Sequence, residues 1–295
     1  MSELTVVTPS FGPDAELFGD LHRSVLRHTG PDVVHHVIVP AAHKEIFDRY
    51  AGPRCHVWTE PELLPRRYHR LPQKGLWLNS RRPWPPVRGW VLQQALKLAA
   101  TAELDADVVL IADSDVVLVR DIDAKSFHED GTLRLFRVPG AVHAGMPDHV
   151  RWHQVAHRLL GLPPAGAPPL TDYVSSLNAW SPEIVRQLQR HVTAVTGRHW
   201  LDVFTAQLHI SEFILYGVFV DQVVTGSGPE HPGDSTICHN YWGRTPLSLD
   251  EALEFAEALG PDAIGMMISA KSGTGQGVRE AAIRRCAEVA GEPIT

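Results

Sequence analysis

Val108-Val-Leu-Ile-Ala112 constrains the fold more than any other stretch of this chain. Five apolar residues in a row, with Asp107 before and Asp113 after, read as a short buried strand. Two carboxylates one residue apart, Asp113 and Asp115, stand where that strand ends. In open α/β sheets ligands gather beyond the carboxyl ends of strands, so these acids arrive where a substrate sits. Two chemistries fit Asp113-Ser114-Asp115. Asp side chains open turns by bonding nearby backbone amides. Two carboxylates together with substrate phosphates also make the usual oxygen-rich site for Mg²⁺ or Mn²⁺.

The flanking pattern alternates strands and helices. Leu4 to Thr8 reads as a first strand ending at Pro9, Ser10, Phe11 and Gly12, followed by a helix over residues 15–28 with Leu17, Phe18, Leu21, Val25 and Leu26 at helical spacing. Val33 to Val39 is a second strand, 42–50 a helix and His56 to Thr59 a third strand. Gly89 to Ala100 is a helix with an apolar face. On it Gln94 and Lys97 share a side, and the helix runs into the Asp113-Ser114-Asp115 strand. Strand, helix, strand is how a nucleotide-binding half-sheet begins. The expected fold is α/β: a Rossmann-like, mixed but mainly parallel central sheet flanked by helices in one compact domain. Residues 1–125 form its first half and 126–295 its second.

Between Pro61 and Arg88 the composition turns to Pro, Arg, Trp and Gln. Prolines at that density prevent a regular helix, and the tryptophans argue for order, so the segment reads as an ordered loop near the site. Lys74, Arg81 and Arg82 are its candidates for meeting phosphate, and Trp77 to Trp90 suits stacking on a ring-bearing acceptor or sugar, with buried packing an equal explanation.

In the second half, 132–138, 173–180 and 264–269 read as strands, and 150–160, 249–259 and 278–290 as helices. Ser181 and Pro182 form an N-cap and first helical position for a helix reaching Thr196. His153 and His157 are spaced i,i+4 without a third ligand nearby. Glu212 is one acid inside an apolar segment, a position that desolvates it or ties it to a partner. Asp172 is a second carboxylate of interest, His239 stands among aromatics, and Lys271 precedes the Gly-rich stretch 272–277.

Composition excludes some classes. With 44% hydrophobic and 21% charged residues, 295 residues supply ample core, and a formal charge of −7 argues against a nucleic-acid binder. The amino terminus lacks the basic and apolar regions of a signal peptide, and no run reaches the roughly 18 apolar residues of a spanning helix. A cytoplasmic protein without a transmembrane segment is expected. Three scattered cysteines with no CxxC pair fit reduced thiols.

Taken together, the Thr8-Pro9-Ser10 strand end, the Gln93-Gln94-x-x-Lys97 helix, Asp113-Ser114-Asp115, Ser211-Glu212-Phe213 followed by Tyr216-Gly217, and His239 resemble glycosyltransferases of the GT-A fold. The pieces span about residues 4 to 275 and are especially similar to a bacterial group of largely unassigned donors and acceptors. The resemblance implies a nucleoside-diphosphate sugar donor and a small-molecule or glycan acceptor. A Mn²⁺ or Mg²⁺ cofactor would be held by Asp113, Asp115 and, as a late ligand, His239. It implies Thr8, Pro9, Ser10, Gln94, Lys97, Asp113, Ser114 and Lys271 around the nucleotide sugar. Glu212, or second Asp172, would be the base of an inverting transfer. Phe213 stands where that motif often has a second acid.

Three other readings share parts of the pattern. A haloacid-dehalogenase-like phosphatase uses a strand ending in Asp-x-Asp, but at the start of its chain and with downstream paired acids absent here. A sugar-1-phosphate nucleotidyltransferase shares the sheet but has a Gly-rich basic first loop, unlike Pro9-Ser-Phe-Gly-Pro-Asp14. A non-catalytic sugar-nucleotide-binding protein would bind donor without turning it over.

Overall fold

The computed structural model describes residues 3–72, 75–129, 132–224 and 236–291. The chain begins β1 (Leu4–Pro9), α1 (Ala15–His28), β2 (His35–Val39), α2 (Lys44–Phe47), β3 (Cys55–Thr59), α3 (Glu60–Leu63). It continues with β4 (Tyr68–Arg70), β5 (Leu76–Asn79), β6 (Arg82–Arg88), α4 (Gly89–Glu103), β7 (Val108–Ala112) and β8 (Val116–Leu118). The second half holds β9 (His128–Glu129), β10 (Thr132–Leu133), β11 (Val138–Val142), α5 (Pro147–Leu159), β12 (Leu170–Asp172), β13 (Leu177–Trp180), α6 (Pro182–Thr196), α7 (Trp200–Phe204) and α8 (Glu212–Gln222). Last come β14 (Cys238–Tyr241), α9 (Leu249–Glu257), β15 (Gly265–Ile268) and α10 (Gln276–Val289).

The central sheet has the order β13-β7-β1-β2-β3. β7, β1, β2 and β3 are parallel, and β13 runs antiparallel beside β7. All five residues of β7 are fully buried, as the apolar run requires. At about 2 kcal/mol per buried aliphatic side chain, that strand alone contributes a sum comparable to a domain's whole net stability. Its alternate residues feed two cores: Val109 and Ile111 meet α4, α6 and α8, while Val108, Leu110 and Ala112 meet α1 and the small sheet β14-β15-β8. Helices α9 and α10 close the outer face of that small sheet.

The expected loop over 61–88 is instead a three-stranded antiparallel meander, β4-β5-β6. Its prolines Pro83, Pro85 and Pro86 are tolerated because β6 is an edge strand and owes no N–H to a further neighbour. Tyr68, Trp77 and Val87 point into the core. The meander is pinned from below by Asp202 of α7, whose carboxylate accepts from Arg67 Nε (2.9 Å), Asn79 Nδ2 (2.7 Å) and the Tyr68 hydroxyl (3.1 Å). Burial pushes that carboxyl up, but the hydrogen bonds from Arg67 and Asn79 outweigh it and hold it below the usual range.

Three further expectations shift. The helix over 42–50 breaks into α2 between two 3-10 turns. The strand over 132–138 is β10, an irregular stretch and then β11 at 138–142. The strand over 173–180 starts only at Leu177, because the residues before it approach the site without a ladder partner. Ser181 does cap α6, accepting from Ile184 N. Gly217 on α8 is glycine for a packing reason: a Cβ there would sit 2.2 Å from the Tyr173 ring, itself 4% exposed.

Candidate functional site

The carboxyl ends of β1, β2 and β3 open into a cavity of about 600 Å³. Pro9, Ser10 and Phe11 line it from β1, Ile38 to Pro40 from β2, and Glu60 from the end of β3. The opposite wall is Leu92, Gln93 and Leu96 of α4 with Arg70 and Trp77 of the meander. Ser10 Oγ is buried with no hydrogen-bond partner, and burial raises the pKa of Glu60 despite its bond from Ala41 N. A largely apolar cleft with a few inward polar groups at strand ends is the general form of a small-molecule site.

Asp113 lies one strand over, at the end of β7 beside β1. It follows Ile111 in the strand's alternation and so leans to the α4 side, where Lys97 meets it. Lys97 is 5% exposed, and its Nζ donates to Asp113 Oδ1 (3.1 Å) and to Glu212 Oε1 (3.0 Å). The ammonium also lies 4.6 Å from the Phe213 ring centroid. Burial pulls the Lys97 pKa down, but Asp113 and then Glu212 outweigh it, so Lys97 is held charged. For Glu212 burial dominates and its pKa is raised against the pull of Lys97. The two directions agree physically, because one cation shared by two carboxylates leaves one negative charge uncompensated.

Asp115 turns the other way. Its Oδ2 accepts from Ala270 N (2.8 Å), and its carboxyl is pushed up to about 6 by burial and then by the charge of Asp113. Its backbone carbonyl accepts from Arg279 Nη2 (3.2 Å), and the same guanidinium donates to Ile268 O. Ser114 Oγ donates to Asp14 (3.3 Å), and Asp113 N to Ser176 O (3.1 Å). The turn is therefore tied down by α10, the N-cap of α1 and the approach to β13, with Asp113 and Asp115 each half-buried.

A divalent cation fits this donor set in part. Two carboxylates one residue apart, Asp115 pushed up by burial and then by the charge of Asp113, are oxygen donors whose repulsion a cation would relieve. No group of three His, Cys, Asp or Glu side chains among the described residues could hold a metal, so further positions would fall to phosphate and water.

Several candidates lie elsewhere than expected. His239 is not brought to Asp113 and Asp115. On β14 the alternation sends Cys238 inward and His239 to the opposite face, where its ring stacks on Phe255 (4.1 Å) and Nε2 bonds Phe255 O (2.7 Å). Thr8 points beneath the sheet and its Oγ1 lies 2.9 Å from His35 Nε2, so of Thr8, Pro9 and Ser10 the last two line the cavity. Gln94 is spent on structure: its Oε1 accepts from Glu212 N and its Nε2 reaches Trp90 O, leaving Gln93 on the cavity wall. The Glu212 carboxylate, 4% exposed, is turned to Lys97 rather than outward. The Asp172 side chain is 17% exposed, 3.3 Å from His149 Nδ1.

Lys271 is exposed and directly follows Ala270, which holds Asp115. Arg81 stays 68% exposed with only a loose approach to Asp202 (3.7 Å), Arg82 donates to Ala206 O, and Lys74 lies outside the described residues. His153 and His157 each bond a backbone carbonyl, of Thr171 and Pro163. Residues that the sequence did not point to are Arg279, Glu60 and Arg70, while Gln93, a part of the Gln93-Gln94-x-x-Lys97 motif, takes the place on the wall expected of Gln94. For Glu60 the signal was there, an acid directly after a strand; nothing marks Arg279 in a helix of ordinary composition.

Among solved structures, the chain is similar to the galactosyltransferase LgtC in complex with donor and acceptor sugar analogues. Identity is 14% over 73% of this chain and 70% of that one, with a TM-score of 0.37. No curated protein matches it in sequence. No described helix is long and apolar enough to cross a membrane. Residues 13–226 match a family of unknown function, DUF6492, and the chain belongs to that family.

Proposed function

We propose that this chain is a metal-dependent glycosyltransferase, taking a nucleoside-diphosphate sugar as donor and a small-molecule or glycan hydroxyl as acceptor. The observation that carries the reading is the buried ion chain Asp113–Lys97–Glu212 at the mouth of the sheet, one strand from the cavity at the ends of β1 to β3. The motif resemblance to GT-A glycosyltransferases supports it independently. In this reading the nucleoside enters the cavity, with Trp77 beside the base, Glu60 on ribose hydroxyls and Arg70 on phosphate. Asp113 and Asp115 hold Mn²⁺ or Mg²⁺, which when bound stabilises negative charge on the departing diphosphate. Lys97 holds Asp113 in place through its hydrogen bond, and Asp113 with Glu212 keeps Lys97 charged in its buried position.

In the transfer, the bond from sugar C1 to the diphosphate oxygen breaks and a bond from C1 to the acceptor oxygen forms. The acceptor's proton goes to a carboxylate. Of the two candidates, Asp172 is the more accessible and Glu212 is committed to Lys97, so Asp172 is assigned as the base of an inverting reaction. The test is thermal stabilisation by a panel of nucleoside diphosphates and nucleotide sugars with and without Mn²⁺, on wild type and Asp115→Asn. At a hundredfold excess over Kd the correct donor adds about 2.7 kcal/mol. A shift that needs Mn²⁺ and vanishes in the variant supports the reading. No shift with any nucleotide, from a protein shown to be folded, overturns it.

A further inference from the structure

We propose that the outer face of the β4–β6 meander docks on an anionic membrane surface, with Trp84 entering the headgroup layer. Residues 66–88 hold seven Lys and Arg and no Asp or Glu, so the rest of a chain of net charge −7 carries −14. The segment is a dense basic stretch in an acidic chain. Arg66, Arg81 and Arg88 are exposed on it. Between Arg81 and Arg88, in the middle of β6, Trp84 is 80% exposed, the most exposed of the large apolar side chains among the described residues.

Strand pairing does not account for that exposure. β6 is the sheet edge, but Pro83, Pro85 and Pro86 have no N–H to offer, so another strand cannot add there with a regular ladder. The prolines instead make a stiff platform that projects an indole between guanidinium groups. Indole is the side chain that prefers the water–lipid boundary, and a basic cluster supplies attraction to anionic headgroups, roughly fivefold in affinity per residue. Single-stranded nucleic acid is the other polyanion to consider. Its binding surfaces present successive aromatic rings along a basic groove, whereas β6 exposes one indole on a sheet edge. Because the inner side of the same meander supplies Trp77 and Arg70 to the cavity, docking brings the cavity mouth to the headgroups.

The test is co-sedimentation of the full chain with phosphatidylcholine vesicles, with and without phosphatidylglycerol, at low and high NaCl. Binding to the phosphatidylglycerol vesicles alone, weakened by salt, is expected. Trp84→Ala should weaken it about tenfold and Arg81→Gln with Arg88→Gln about 25-fold. None of these side chains is in the core, so circular dichroism should be unchanged. Absence of binding to phosphatidylglycerol vesicles at low salt overturns the proposal. So does Trp84→Ala binding as well as wild type, or a single-stranded oligonucleotide bound more tightly than the vesicles and indifferent to Trp84. None of these outcomes depends on the glycosyltransferase reading.

Discussion

Replacing Lys97 by Met removes the only cation that the described residues set against Glu212, and the cost can be worked out from the geometry. Glu212 keeps a side chain 4% exposed, so in the variant it must stay charged without a partner or take a proton. The first course costs about 3–5 kcal/mol, the usual penalty for breaking a buried pair. The second caps it: protonating at pH 7 a carboxyl with an ordinary pKa of 4.5 costs about 3.4 kcal/mol, at 1.36 kcal/mol per unit. Asp113 adds little, because its side chain is 37% exposed and water replaces Lys97 there. Urea denaturation at pH 7 should therefore show Lys97→Met destabilised by about 3 kcal/mol.

The pH dependence has a definite sign. In the variant the folded state holds a proton on Glu212 that the unfolded state releases above about pH 4.5. Lowering the pH from 7 toward 5 thus stabilises the variant relative to wild type by up to about 1.4 kcal/mol per unit. Adding Glu212→Gln to Lys97→Met should recover most of the loss at pH 7, since the pair leaves no buried charge. A penalty under about 1 kcal/mol, or one that does not shrink on acidification, would refute the buried ion chain as described.

Two further outcomes are expected. Gly217→Ala drives a methyl against the Tyr173 ring, whose hydroxyl is anchored on Asp221 Oδ2 at 2.7 Å, so it should cost about 1–3 kcal/mol in urea denaturation, and a loss within about 0.5 kcal/mol would show that the ring yields. His36 is pushed down to about 4 by burial and then by His56, so the unfolded state binds its proton first, and stability present above about pH 6.5 is lost as the pH falls toward 4. His36→Leu should remove up to about 2 kcal/mol of the difference between pH 7 and pH 5, and an unchanged pH profile in that variant would place the acid sensitivity elsewhere.

The elements with a strong period were legible in the sequence. β7 was marked by its unbroken apolar run, α1 and α4 by their apolar stripes, and α6 by Ser181 and Pro182, because each signal is local and needs no partner to be read. The meander was missed because proline argues against regular structure in general, and only the knowledge that β6 is an edge strand reverses the inference. Thr8 and His239 were misplaced for a related reason. A strand's alternation is readable, but which parity faces the ligand depends on what packs on either side. Lys97 and Glu212 were each singled out, yet their contact spans 115 positions of sequence, and Arg279 reaches Asp115 across 164. Such pairings are products of topology and leave no mark in either segment alone.

Asp113 closes a strand of the large sheet, and Asp115 directly precedes β8, a strand of the small one. The two carboxylates thus stand on opposite banks of a seam, with a single serine as the bridge. Their separation is a gauge of the angle between the sheets, and any ligand that grips both acts as a rivet through the joint. Occupancy and the seating of the C-terminal third then become one equilibrium. Slowed amide exchange in β8, β14 and β15 should accompany binding, and loosening of α10 should be felt as weakened affinity at a site that the helix reaches through the Arg279 guanidinium.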